Sequence, residues 1–129
     1  MTFFIEEIDV EPLFKAIGTF EKFRKHLITD QDKAGSIQAF EFSFELAWKT
    51  MKRILAKKGV EVRSPKDCFR EAALNKMIND PRQWFKFLEK RNLTVHSYNE
   101  LVVHEIIKIF DEFSSSLSEF IDYLKDYNV

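Results

Sequence analysis

A net charge of −1, from 20 basic and 21 acidic residues in 129, gives no global field to draw the chain to nucleic acid or anionic membrane, so any RNA site must be local. Three Gly and three Pro are too few for the turns of an all-β fold, and 45% hydrophobic residues with fourteen Phe predict an all-α single domain over residues 1–129. The lone Cys68 excludes an intramolecular disulfide and a Cys-based zinc site, and with no membrane-spanning stretch and an N-terminus, MTFFIEEIDV, too acidic for a signal peptide, a cytoplasmic location without a membrane partner is expected.

Asp9 reads as an N-cap, with Pro12 tolerable in the first helical turn. Val10, Leu13, Phe14, Ile17, Phe20, Leu27 and Ile28 keep i, i+3, i+4, i+7 spacing, which predicts a first helix reaching Ile28. In the segment TDQDKAGS, Asp30 and Asp32 are the capping candidates, and a second helix is predicted from about Ala34 to Lys58, ended by Gly59. It carries Ile37, Phe40, Phe44, Ala47, Trp48, Met51, Ile54 and Leu55 on one stripe and Phe42 and Leu46 on another. That is the pattern of a central bundle helix or an oligomer face, and isologous packing of the second face predicts a homodimer. Glu41 falls on the main stripe, where it needs a partner such as Arg91 unless it sits at the rim with its carboxylate in water.

Ser64, Pro65 and Asp67 are the cap, first residue and first-turn acid of a short third helix ending between Asn75 and Asn79. Asp80-Pro81 repeats the signal for a fourth, which Trp84, Phe85, Phe87 and Leu88 carry to Lys90 or Arg91. Ser97 and Glu100 have the spacing of a capping box, so a fifth helix is predicted to start at Tyr98. Its apolar positions run from Val103 to Leu124, ending the helix near Asp126. Three long helices and two short ones joined by short loops describe an antiparallel up-and-down bundle.

Arg91 and His96 flank the junction between the fourth and fifth helices, in the neighbourhood of the longest run without Asp, Glu, Lys or Arg, Asn92 to Asn99. An always-charged guanidinium and an imidazole that titrates near neutrality, beside the positive end of a helix, suit phosphate chemistry. His96 would act as general base on a ribose 2′-hydroxyl or as acid to the leaving group, and Arg91 would hold the charge developing on phosphate. That scheme requires no metal. The same spacing also fits a structural role, with Arg91 neutralising the last carbonyls of the fourth helix and His96 packing on Leu101 as a hydrophobic staple. His26 and His104 have no second ligand at i, i+4 and read as solvated surface histidines, while Cys68 beside Phe69 reads as a small buried hydrophobe.

The segments IQAFEFSFELAWKTMK (Ile37 to Lys52), SPKDCFREA (Ser64 to Ala72) and EKRNLTVHSYNE (Glu89 to Glu100) resemble the nucleotidyltransferase substrate-binding protein family, a branch of the HEPN superfamily. The likeness covers nearly the whole chain. It implies a helical bundle that dimerises and is paired with a separate minimal nucleotidyltransferase. It implies as well that Arg91, four residues and His96 match the metal-independent RNase motif of many HEPN proteins, and that Asn92 matches the polar residue after the Arg. Tyr98 falls where related toxins are adenylylated by the partner transferase. The resemblance therefore implies the helical, substrate-binding partner of a two-component nucleotidyltransferase system of toxin–antitoxin type. The alternative is an endoribonuclease toxin that acts on RNA through Arg91 and His96 and is neutralised by adenylylation of Tyr98. Asn92, Tyr98 and Glu41 are the expected binding residues, and no metal or cofactor is expected.

Overall fold

Side-chain caps at Thr29, Ser64, Asp80 and Asn99 decide where four of the helices begin. The computed structural model describes residues 4, 5 and 7–127, so the first three residues, on which the reading of the N-terminus partly rests, lie outside the described residues. Two short antiparallel strands, β1 (Phe4–Ile5) and β2 (Ile8–Asp9), precede the helices, and the helical spacing gave no hint of them. The helices are α1 (Glu11–Arg24), α2 (Asp30–Lys57), α3 (Pro65–Leu74), α4 (Pro81–Leu93), α5 (Glu100–Ile107) and α6 (Phe110–Tyr127), with a 3₁₀ turn at Thr94–His96 after α4. They form the expected all-α bundle, and among the described residues no helix is long and apolar enough to cross a membrane.

Val10, not Asp9, is the N-cap residue of α1, although the Asp9 carboxylate still accepts from the Glu11 amide at 3.0 Å. The helix stops at Arg24, before the predicted Ile28, which is 72% exposed. The chain leaves α1 early because the next helix starts early. Thr29 Oγ1 accepts from the Asp32 amide at 3.0 Å, and the Asp32 carboxylate accepts from the amides of Thr29 and Ile28 at 2.8 and 3.1 Å. This capping box begins α2 at Asp30 instead of Ala34. The Thr29 amide, more than any other group, holds the Asp32 carboxyl below the ordinary aspartate value; the Ile28 amide, the Thr29 hydroxyl and His26 act in the same direction and burial opposes them.

Gly59 ends α2 as predicted, with φ +82°. Its amide donates to the Ala56 carbonyl at 3.0 Å and the Val60 amide to the Leu55 carbonyl at 2.8 Å, the two bonds of a Schellman motif. The end of α3 repeats the motif with a lysine in the left-handed position: Lys76 has φ +62°, and the amides of Lys76 and Met77 donate to Ala73 and Ala72.

The predicted fifth helix is two helices. It breaks at Lys108–Ile109, where the Ile109 amide bonds back to Ile106, an i−3 bond that tightens the turn before α6. Apolar spacing runs on through the break because Ile106, Ile109, Phe110 and Phe113 are all buried.

Phe113 sits at the centre of the core. Its ring meets those of Phe40 at 4.9 Å, Phe87 at 5.1 Å, Phe20 at 5.2 Å and Trp84 at 6.0 Å, each edge to face. Four helices thereby share one contact point, and α4 is fixed against α2 and α6 through its first and middle turns. Cys68 is fully buried, its thiol donating to the Trp48 carbonyl at 3.5 Å, and burial pushes the thiol up to about 12, as suits a small core residue.

Candidate functional site

α4 runs two residues beyond Arg91, so Arg91 belongs to the last turn of a helix and not to a junction. The buried Thr94 then pins the exit: its hydroxyl donates to the Arg91 carbonyl at 2.7 Å, and its amide donates to the same oxygen. The chain continues as a 3₁₀ turn through His96, and the Ser97 amide bonds to the Thr94 carbonyl at 3.2 Å.

That turn overturns the predicted start of the next helix. Ser97 has φ −68° and ψ −4°, a helical backbone in which it cannot serve as N-cap, whereas Asn99 has φ −96° and ψ 122°. An N-cap residue needs the extended conformation. Asn99 Oδ1 accepts from the Leu101 and Val102 amides at 2.8 and 3.3 Å, and α5 starts at Glu100. Tyr98 is therefore not the first helical residue; it stands in the turn before the cap, 82% exposed.

His96 is also exposed, and its Nδ1 lies 3.2 Å from the Tyr98 hydroxyl, with the two rings edge to face at 5.8 Å. The roles in this contact follow the tautomer: a phenol donating to Nδ1 leaves the proton of the neutral imidazole on Nε2, whereas an Nδ1–H donating to the phenol oxygen leaves Nε2 unprotonated. The second form is the one in which Nε2 can take a proton.

Arg91 has other partners. Its Nη2 donates to Glu45 Oε1, its Nη1 to Asn92 Oδ1 at 3.2 Å, and the guanidinium lies 5.9 Å from the centre of the Phe44 ring. The candidate pairing of Arg91 with Glu41 is not formed. Glu45, one turn further along α2, takes that place because α2 and α4 pack with Arg91 level with the Phe44–Glu45 turn. Glu41 remains half-buried and lines a groove of about 1010 Å³ between α2 and α5, together with Lys33, Ser97, Tyr98, Leu101 and His104. Arg91, Asn92 and His96 are not among the residues lining that groove. Arg91 with Asn92 and Glu45, and His96 with Tyr98 on the turn that follows, form two successive clusters along the chain.

His26 and His104 are both exposed, in keeping with surface histidines. Glu45, Thr94 and Asn99 were not foreseen. Asn99 carried a signal, since Asn caps as well as Ser does; Glu45 had only its place one turn from Glu41.

Comparison with known proteins adds to this geometry. Residues 9–126 match the family described as nucleotidyltransferase substrate binding protein like. A probable ribonuclease HepT of Haemophilus influenzae is 31% identical in an alignment of 107 residues that covers 79% of this chain and 73% of that protein. A crystal structure from Thermus thermophilus superposes with a TM-score of 0.81 at 28% identity, covering 87% of this chain and 98% of that one. A Haemophilus influenzae structure described as the fold of a substrate binding domain of a nucleotidyltransferase gives 0.79 at 28% identity, covering 88% and 96%. A Shewanella oneidensis HEPN toxin, tri-AMPylated and in complex with an MNT antitoxin, shares the fold at 18% identity and a TM-score of 0.70, covering 90% and 98%. The chain belongs to the nucleotidyltransferase substrate binding protein-like family.

Proposed function

We propose that this protein is the helical partner of a minimal nucleotidyltransferase in a cytoplasmic two-component system of toxin–antitoxin type, and that it is the RNA-cleaving member, silenced when the partner adenylylates Tyr98. The observation that carries the reading is the 3.2 Å contact between His96 and Tyr98 on a turn where both side chains are open to solvent. A base or acid for RNA cleavage and an acceptor for a nucleotidyl group thus stand side by side. The likeness to a probable ribonuclease supports the first role, and the family together with a fold neighbour bound to an MNT antitoxin supports the second.

In this reading His96 and Arg91 are the catalytic pair. A ribose 2′-oxygen attacks phosphorus, the bond to the 5′-oxygen breaks, and a 2′,3′-cyclic phosphate and a 5′-hydroxyl are left. His96 takes the 2′ proton or delivers one to the departing 5′-oxygen, while Arg91 meets the negative charge on the non-bridging oxygens. Asn92, bonded to Arg91, and Glu41 in the groove beside Tyr98 contribute to binding.

The test is incubation of the purified protein with RNA, followed by analysis of the termini. Cyclic phosphate ends are expected from wild type, with the rate lowered by about 10²- to 10⁴-fold in His96→Ala, the usual worth of a general acid or base. Equal cleavage by wild type and His96→Ala, or none by wild type, would sink the ribonuclease role.

A further inference from the structure

Glu45 lies on the side of α2 that meets the last turn of α4, and its carboxylate is held at both oxygens. Oε1 accepts from Arg91, while Oε2 accepts from Trp48 Nε1 at 3.2 Å and lies 3.7 Å from Lys49 Nζ. Glu45, Trp48 and Lys49 are spaced i, i+3, i+4, so α2 itself anchors the carboxylate before it reaches across to α4. The guanidinium it holds is further bounded by the Phe44 ring and by Asn92. A guanidinium has five N–H donors in a rigid plane. Glu45 and Asn92 engage two of them, and 32% of the Arg91 side chain stays open to solvent.

We infer that Glu45 is a positioning residue: it seats Arg91 so that the remaining N–H groups meet the scissile phosphate in a fixed plane. The assignment rests on the ribonuclease reading above. An arginine forks onto phosphate through two parallel N–H bonds, which demands a set orientation of the plane. Without Glu45, a long side chain would have to be ordered at the moment of reaction. The Trp48 N–H and Lys49 ammonium meet part of the Glu45 charge, which limits its repulsion of an incoming phosphate. Those two residues therefore let an acidic side chain sit beside an anion site.

The experiment compares wild type, Glu45→Gln and Glu45→Ala in RNA cleavage, in thermal melting and in the rate at which phenylglyoxal modifies Arg91, read by mass spectrometry. Glu45→Ala is expected to lower kcat by about 10²-fold with a smaller change in KM, the scale of loss from a misplacement of about 1 Å. Glu45→Gln keeps an acceptor for Arg91 and should recover most of that loss. Arg91 should be modified faster in Glu45→Ala than in the other two proteins. Wild-type kcat in Glu45→Ala overturns the proposal, as does a Glu45→Gln no more active than Glu45→Ala. Should wild type fail to cleave RNA, the ribonuclease reading falls on its own and the phenylglyoxal rates decide the seat: equal rates in all three proteins overturn it, and a faster rate in Glu45→Ala alone upholds Glu45 as the group that orients Arg91.

Discussion

The hydroxyl of Tyr98 and Nδ1 of His96 are 3.2 Å apart, and Tyr98 immediately precedes the Asn99 cap of α5. The hydroxyl thus touches the imidazole, on the residue that leads into the cap of α5.

That relationship makes Tyr98→Phe an informative substitution. Adding a nucleotidyl group to Tyr98 replaces the phenolic proton with a phosphodiester, so the bond to His96 is lost and an anion occupies the space an RNA phosphate would use. Tyr98→Phe should still cleave RNA, with a rate changed by no more than about tenfold, the worth of one neutral hydrogen bond. It should also escape silencing when the cognate transferase and ATP are added. Mass spectrometry and RNA cleavage on both proteins check this. Equal mass gain by the two proteins, or undiminished cleavage by modified wild type, would show that Tyr98 is not the controlling site.

The bundle was legible because its helix ends are written in short local signals. Ser64-Pro65, Asp80-Pro81 and Gly59 each act over three or four residues, and each lies where the sequence placed it. The site was less legible because its geometry depends on where α4 stops. Ser97 and Asn99 are equally good caps by residue type, and the choice between them is made by the turn through Thr94–His96, whose backbone bonds leave Ser97 helical and Asn99 extended. Glu41 and Glu45 likewise share a helix face, and only the packing of α4 on α2 selects Glu45 for Arg91. The break at Lys108–Ile109 has neither Gly nor Pro to announce it.

The second apolar face of α2 predicts self-association. Phe42 is 58% exposed, an unusual position for a large apolar ring on a central helix. Sedimentation equilibrium at micromolar concentration is expected to show a species of twice the 15.4 kDa chain mass. Phe42→Asp should weaken the dimer by about 1.5–3 kcal/mol, the value of burying a Phe side chain. A wild-type protein that sediments only at 15.4 kDa would exclude the homodimer.

Asp32 gives a pH dependence with a definite sign. Its folded-state pKa is below the ordinary 3.8, chiefly through the Thr29 amide, so the charged form favours the folded chain. The stabilisation is present above 3.8 and disappears as pH falls through the lower folded value. Asp32→Asn should therefore lower the urea midpoint at neutral pH, and the gap from wild type should close as pH is taken below 3.8. A gap that persists unchanged in acid would mean that the carboxylate charge has no part in starting α2.

Lys76 offers a stabilising substitution. It is an exposed lysine with φ +62° at the left-handed position of the Schellman motif ending α3, where Gly59 serves the same purpose after α2. A β-carbon in that conformation crowds the following carbonyl at a cost of about 1–2 kcal/mol, which glycine does not incur. Against this, glycine gives the unfolded chain more freedom, an effect of roughly 0.5–1 kcal/mol. The difference leaves Lys76→Gly more stable by about 0.5–1 kcal/mol. Lys76→Val should be less stable than wild type, because a β-branched residue is strained further there. Gly59→Ala should lose about 0.5–1 kcal/mol by the same reasoning with the sign reversed. Urea unfolding should show these as shifts of midpoint with unchanged slope, since the surface exposed on unfolding hardly alters. A lower midpoint for Lys76→Gly would mean that the lysine side chain contributes more to the end of α3 than its backbone strain costs.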